Sequence, residues 1–300
     1  MNYKCTNILQ FQARKYSEFI VDKIPHNITK KKEKYNMISL NPFSEISAFI
    51  PSFVMQTYVI AMFILVIGAT LFDVVHKKSA KYFFNNSVKA KKSATRNVGS
   101  GEKASIAFKT ATNEILTSSE FCSTRRRIAH LLTMYGFIIF VISTVVMIFS
   151  YATPNAITPS HWPIGWHLGA AMLCVGGYWF WFFIRVDVAA EGNKWYRVIR
   201  ADLFVLSLLA MSTFALIWSY MQSNGIDVWQ TIFFGLFIGA STVLFGGVLW
   251  SKFAHMFYKP AAAYQKRVTK ADGSRENLPE PADMPEKFGL GIKREAPRHY

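Results

Sequence analysis

Five blocks of about 20 or more apolar residues, separated by polar connections, constrain this chain more than any other feature. A block of that length crosses ~30 Å of hydrocarbon at about 1.5 Å per helical residue. Lipid offers a backbone no hydrogen-bond partners, so each block has to be a helix or a strand of a closed barrel. None of the blocks alternates apolar with polar residues, which removes the barrel. The expected fold is therefore all-α, an integral membrane bundle of five transmembrane helices. The expected spans cover about residues 50–75, 129–151, 166–184, 203–221 and 232–257.

The connections set the expected orientation. Residues 76–128 carry twelve cations, ending in Arg125, Arg126 and Arg127, and residues 185–202 add Arg185, Lys194, Arg197 and Arg200. Residues 152–165 carry no charge, and residues 222–230 carry only Asp227. Cations collect on the cytoplasmic side of membrane proteins. The first span is thus expected to start outside, with loop 76–128 and tail 259–300 inside. Topology then accounts for the formal charge of +16, which otherwise suggests nucleic acid. Trp162, Trp166, Trp218, Tyr220 and Trp229 are expected in an outer aromatic belt, and Trp195, Tyr196, Trp250 and Tyr258 in an inner one. Residues 1–48 form an N-terminal extension that fits less well. Its first 36 residues hold eight cations on the side where cations are rare, so synthesis is expected to begin at Met37. The proline-bearing tail 259–300 is expected to be disordered by itself. Its apolar island Phe288–Ile292 suits docking to a soluble partner.

Catalytic patterns are missing: no HExxH, no nucleophile elbow, no phosphate-binding glycine loop. Cys5, Cys122 and Cys174 form no metal-ligand spacing. Asp73, Asp187 and Asp202 lie at inner helix ends beside Lys77, Arg185 and Arg200, so local ion pairing accounts for them. No charge lies at mid-bilayer, which counts against a pump or solute carrier. Histidine carries the remaining chemistry. His130 opens the second span and His255 closes the fifth, so the two imidazoles fall at matching depth. That is where two axial ligands of one haem b would stand, although interfacial histidines also bond headgroups or carbonyls. Gly136, Gly246 and Gly247 would let a flat macrocycle approach the helices. His167, beside Trp166, would offer a hydrogen bond to a quinone, or would serve as a belt residue. Gly165–Gly169 and Gly235–Gly239 are small-residue pairs suited to close helix contact.

Two segments carry a family resemblance: Arg125-Arg-Arg-Ile-Ala-His130-Leu-Leu-Thr-Met-Tyr-Gly136 and Lys252-Phe-Ala-His255-Met-Phe-Tyr258. They resemble the membrane subunits related to the gamma subunit of respiratory nitrate reductase. Residues 45–300 as a whole look like the AprM-type membrane anchors of adenylylsulfate reductase in sulfur-oxidising bacteria. The resemblance implies a non-catalytic subunit of the bacterial inner membrane. It would link soluble flavin and iron–sulfur adenylylsulfate reductase subunits, which oxidise sulfite, to the quinone pool. Members with two haems have further histidines deep in the second and fifth spans. This chain has none there, so at most one haem, on His130 and His255, carries over. The competing expectations are a structural anchor without cofactor and a gamma-type cytochrome b subunit of another respiratory oxidoreductase.

Overall fold

The structure is a computed structural model. It describes residues 37–274 other than 77, 78, 120, 122, 155, 186–191, 193, 195 and 250–254, and it gives the backbone alone for 79, 80, 82, 83, 114, 115, 249 and 255–258. Residues 1–36, Asp187, Trp195, Trp250 and the island Phe288–Ile292 lie outside the described residues, as do the side chains of His255 and Tyr258.

Among the described residues every regular element is helical. Nine α-helices follow one another: α1 (Pro42–Ile46), α2 (Ser52–His76), α3 (Ser79–Lys92), α4 (Ser100–Thr110), α5 (Thr124–Ser150), α6 (His161–Trp179), α7 (Leu203–Ser223), α8 (Asp227–Gly246) and α9 (His255–Ala271). Single π-helical turns extend α4 over Ala111–Leu116 and α6 over Phe180–Ile184. Helices α2, α5, α6, α7 and α8 are the five that are long and apolar enough to cross a membrane. They alternate in direction, so the ends of the bundle differ. One is flanked by the basic connections, and the other by the nearly uncharged ones.

Two boundaries depart from expectation. The fifth span ends at Gly246, not near residue 257. Gly246 and Gly247 stand together there, and glycine costs a helix about 1 kcal/mol per residue relative to alanine. The chain then makes a 3-10 turn, Gly247–Leu249, and a separate amphipathic helix, α9. Residues 259–271, expected in a disordered tail, belong to that helix. The second span starts earlier than expected, at Thr124, so Arg125, Arg126 and Arg127 form its first turn. His130 consequently sits well inside the helix.

Helices α5 and α6 pack most closely, and glycine explains how. A Cβ on Gly136 would come within 2.8 Å of Met172 Cβ and 2.9 Å of the Gly169 carbonyl oxygen. One on Gly169 would come within 2.7 Å of the Phe140 nitrogen, and one on Gly176 within 2.8 Å of the Ala129 oxygen. With no hydrophobic drive between helices in lipid, such close approach supplies the van der Waals attraction. The Gly165–Gly169 pair does what its spacing suggests. Around Gly235 and Gly239 on α8 nothing lies within 4 Å.

An aromatic core fills the half of the bundle nearest the uncharged end. Phe43, on α1, wedges edge-on between Trp166 and Trp218, with ring centroids 5.9 and 5.3 Å away. Phe140 stacks on Trp166 at 5.2 Å and Phe237 on Trp218 at 5.7 Å. Trp166 and Trp218 are fully buried, so they are core residues rather than belt residues. Helix α1 is pinned over them. Asn41 caps it by accepting from the Phe43 N–H, and its amide donates to the Tyr151 carbonyl and to Thr158 Oγ1. Gln222 Nε2 donates to the Pro42 carbonyl at 3.0 Å. Trp229 and Tyr220 remain exposed, as belt residues should be.

Helix α2 is held more lightly. Side-chain bonds tack it down from Gln56 to the Ile148 carbonyl and from Tyr58 to the Ile238 carbonyl and Thr242 Oγ1. Between α2, α5 and α8 runs a cavity of about 540 Å³ with apolar walls.

Candidate functional site

Polar loop and tail meet at the basic end of the bundle and form a second layer. Helix α9 packs on α4, its π-turn and α3. The join is made at the C-terminus of α9, where helix carbonyls lack partners in their own helix. The Thr95 and Arg96 backbone N–H groups donate to the Asp272 carbonyl at 2.9 and 3.2 Å. Thr95 Oγ1 donates to the same oxygen at 3.1 Å, and Arg96 Nε donates to the Ala271 carbonyl at 2.6 Å. Arg96 is itself ion-paired with Glu102 of α4. Gly273 ends the helix with φ +77°, the left-handed residue such a cap requires. A Cβ there would lie 2.1 Å from Thr95 Oγ1. The Ser274 N–H donates to Asp272 Oδ1, closing the turn.

This assembly presents cations outward. Lys259, Lys266 and Lys270 recur on one face of α9, and Lys89, Lys91 and Lys92 end α3; all six are exposed. The arginines at the start of α5 serve otherwise. Arg126 donates to the Ile184 carbonyl at the end of the third span, and Arg127 donates to the Thr117 carbonyl at 2.7 Å. Lys259 and Arg125 are thus exposed, while Arg126 joins the second span to the third and Arg127 ties the second span to the loop.

Beside this layer, Arg185 is buried and ion-paired with Asp202. It also donates to the Arg197 carbonyl at 2.7 Å and lies 4.1 Å over the Trp181 ring. Asp202 Oδ2 accepts from the Ile199 N–H as well, at 3.0 Å. The partner of Asp202 is thus Arg185, across the connection between spans three and four, and not the neighbouring Arg200.

The histidines fall in two places. His130 Nδ1 is 3.1 Å from Ser118 Oγ, and its ring lies 5.0 Å from that of Phe121. Lys259 Nζ stands 4.9 Å over the other side of the contact, on the Phe121 ring. The start of α9, which carries His255, therefore comes alongside His130 through Phe121. Gly136, expected to admit the macrocycle, packs instead against Met172 and Gly169 of α6. The 540 Å³ cavity has no histidine in its wall. The side chain of His255, the second expected ligand, lies outside the described residues.

His167 is buried at the uncharged end, beneath α1. Its Nδ1 lies 2.7 Å from the Pro163 carbonyl, which only accepts, so Nδ1 carries the proton. In the neutral ring Nε2 then accepts from Ser219 Oγ, also at 2.7 Å. Trp166 Nε1 donates to Thr144 Oγ1 at 3.0 Å. Both residues spend their polar atoms inside the protein, as struts between α5, α6 and α7. The quinone contact expected of them has no donor facing the bilayer.

Sequence reasoning missed the join between Thr95–Arg96 and Asp272–Gly273. Asp-Gly after a lysine-rich segment with Tyr264 and Val268 at helical spacing was a readable C-terminal signal. Nothing local shows what receives it, 177 residues away in the chain. A scan of family models and searches of curated proteins and solved structures found no match to this chain.

Proposed function

We propose that the chain is a non-catalytic membrane anchor. Its basic layer of α3, α4 and α9 holds a soluble oxidoreductase against the bilayer. The observation that carries this reading is that loop and tail build one assembly with a row of exposed lysines on α9. Such a row attracts an acidic protein surface and orients it. By the resemblance of residues 45–300 to AprM-type anchors, the partner would be adenylylsulfate reductase, with its flavin and iron–sulfur groups. Sulfite oxidation would take place in the partner, whose electrons would pass to quinone in the adjoining bilayer. On this reading the basic end faces the cytoplasm of a bacterial inner membrane.

Co-purification from mild detergent tests it. The wild-type chain should carry a flavin- and iron–sulfur-containing partner. Replacing Lys259, Lys266 and Lys270 together with glutamate should release the partner at least tenfold more readily, with the bundle still folded. Retention of the partner by the triple variant, or purification of the native chain with no redox protein, would refute the proposal. A reduced-minus-oxidised spectrum of the isolated chain separates the electron carrier from the pure anchor: a b-type α band lost in His130→Ala makes the subunit an electron carrier, and no band makes it an anchor alone.

A further inference from the structure

The cavity between α2, α5 and α8 is a built feature of the bundle. Its walls run from Val54 to Ile67 on α2, from Phe137 to Ile148 on α5 and from Phe234 to Phe245 on α8. At about 1.5 Å per residue the slot is about 17–20 Å long, more than half the hydrocarbon thickness. Dividing its 540 Å³ by that length leaves a bore of about 30 Å², wide enough for one flexible chain.

The chemistry of the walls narrows the occupant. The few polar groups are committed within the protein. Tyr58 donates to the Ile238 carbonyl, Thr144 Oγ1 donates to the Phe140 carbonyl and accepts from Trp166, and Ser241 donates to the Phe237 carbonyl. Water needs two to four polar partners and finds none here. A quinone ring needs a donor for its carbonyls, and the wall offers none. A hydrocarbon chain needs only apolar contact, and the surrounding bilayer supplies it in excess.

We propose that this slot is a lipid-binding site that takes one acyl chain of a phospholipid, threaded between the first span and the rest of the bundle. The headgroup stays outside the slot, because no wall residue can receive it. The lipid completes the packing that α2 lacks, so the first span is held partly by protein and partly by lipid. The site stands independently of any soluble partner.

Native mass spectrometry of the full chain in mild detergent tests this, with phosphatidylglycerol and phosphatidylethanolamine vesicles as the lipid source. One phospholipid per chain should survive delipidation that strips the surface. Val141→Trp, which puts a large ring into the bore, should reduce that occupancy at least tenfold. Val243→Trp, on the exposed face of α8, should leave it unchanged. On the unmutated protein, a phospholipid with a diazirine in its acyl chain should cross-link to Met62, Val141 or Ile238. Equal occupancy in both variants, cross-links no stronger there than on the Val243 face, or a prenylquinone recovered in place of the phospholipid would each overturn the assignment.

Discussion

Substituting Gly273 by alanine should detach α9 from the loop while leaving the membrane bundle intact. Two costs add. A non-glycine residue in the left-handed region costs roughly 1–2 kcal/mol. The new Cβ, 2.1 Å from Thr95 Oγ1, also forces Thr95 away from the Asp272 carbonyl. Three hydrogen bonds converge on that oxygen. At about 1 kcal/mol net for each bond, their loss brings the total to about 4–5 kcal/mol. A local opening eased by that amount speeds exchange about a thousandfold, at about 1.4 kcal/mol per factor of ten. Hydrogen–deuterium exchange of peptides covering residues 259–271 is the direct assay, with thermal unfolding of the detergent-solubilised bundle measured in parallel. Exchange should accelerate in α9 and in residues 93–99, and the melting temperature should hold. Gly99→Ala is the control, since nothing lies within 4 Å of its Cβ position. If α9 exchanges within threefold of the wild-type rate, the cap does not carry the join. If the whole bundle melts earlier by an equal amount, the layer is not a separate local unit.

Further substitutions probe the bundle. Asp202→Ala leaves Arg185 buried without its carboxylate, a change that costs about 3–5 kcal/mol and should lower the melting temperature by roughly 10 °C. The double variant Asp202→Leu with Arg185→Met should recover most of that loss, and a double variant as unstable as the single one would show that packing, not charge, sets the cost. Gly169→Ala should disrupt the contact between α5 and α6 and reduce folded yield, whereas Gly239→Ala should be silent in the same melting assay; equal effects would mean that the α8 face is covered by something other than lipid.

The spans were legible because lipid imposes a single rule, backbone satisfaction over ~30 Å, and the rule leaves a mark at every position of a span. The glycines between α5 and α6 were legible for a related reason: Gly165 and Gly169 stand on one helix face and leave room for a neighbour. The same spacing at Gly235 and Gly239 meets nothing, because a small-residue pair states that a partner fits and does not say which. Tryptophan shows the limit more sharply. Trp166 and Trp229 both lie near the uncharged end, yet one is core and the other exposed. The difference is made by Phe43, more than a hundred residues upstream of Trp166, which α1 folds over the indole.

The candidate site was less legible, since its parts become a site only by long-range pairing. Read alone, residues 259–274 are a charged, proline-bearing tail. Pro260 falls near the start of α9, where it removes one ladder bond and does not stop the helix. What makes the segment a helix is its packing on α4 and a receptor for its last carbonyls at Thr95 and Arg96. His130 illustrates the converse. It was expected at matching depth with His255 at the end of the fifth span; that span ends instead at Gly246, and the side chain of His255 lies outside the described residues. The group that fills the junction is nevertheless Phe121, held between His130 and Lys259. An aromatic ring there makes the junction a packed hinge between bundle and basic layer. Phe121→Ala should loosen that junction and leave both layers folded. Exchange in α9 would rise modestly while α5 stays protected, and protection lost equally in both would show that the ring belongs to the core of the bundle instead.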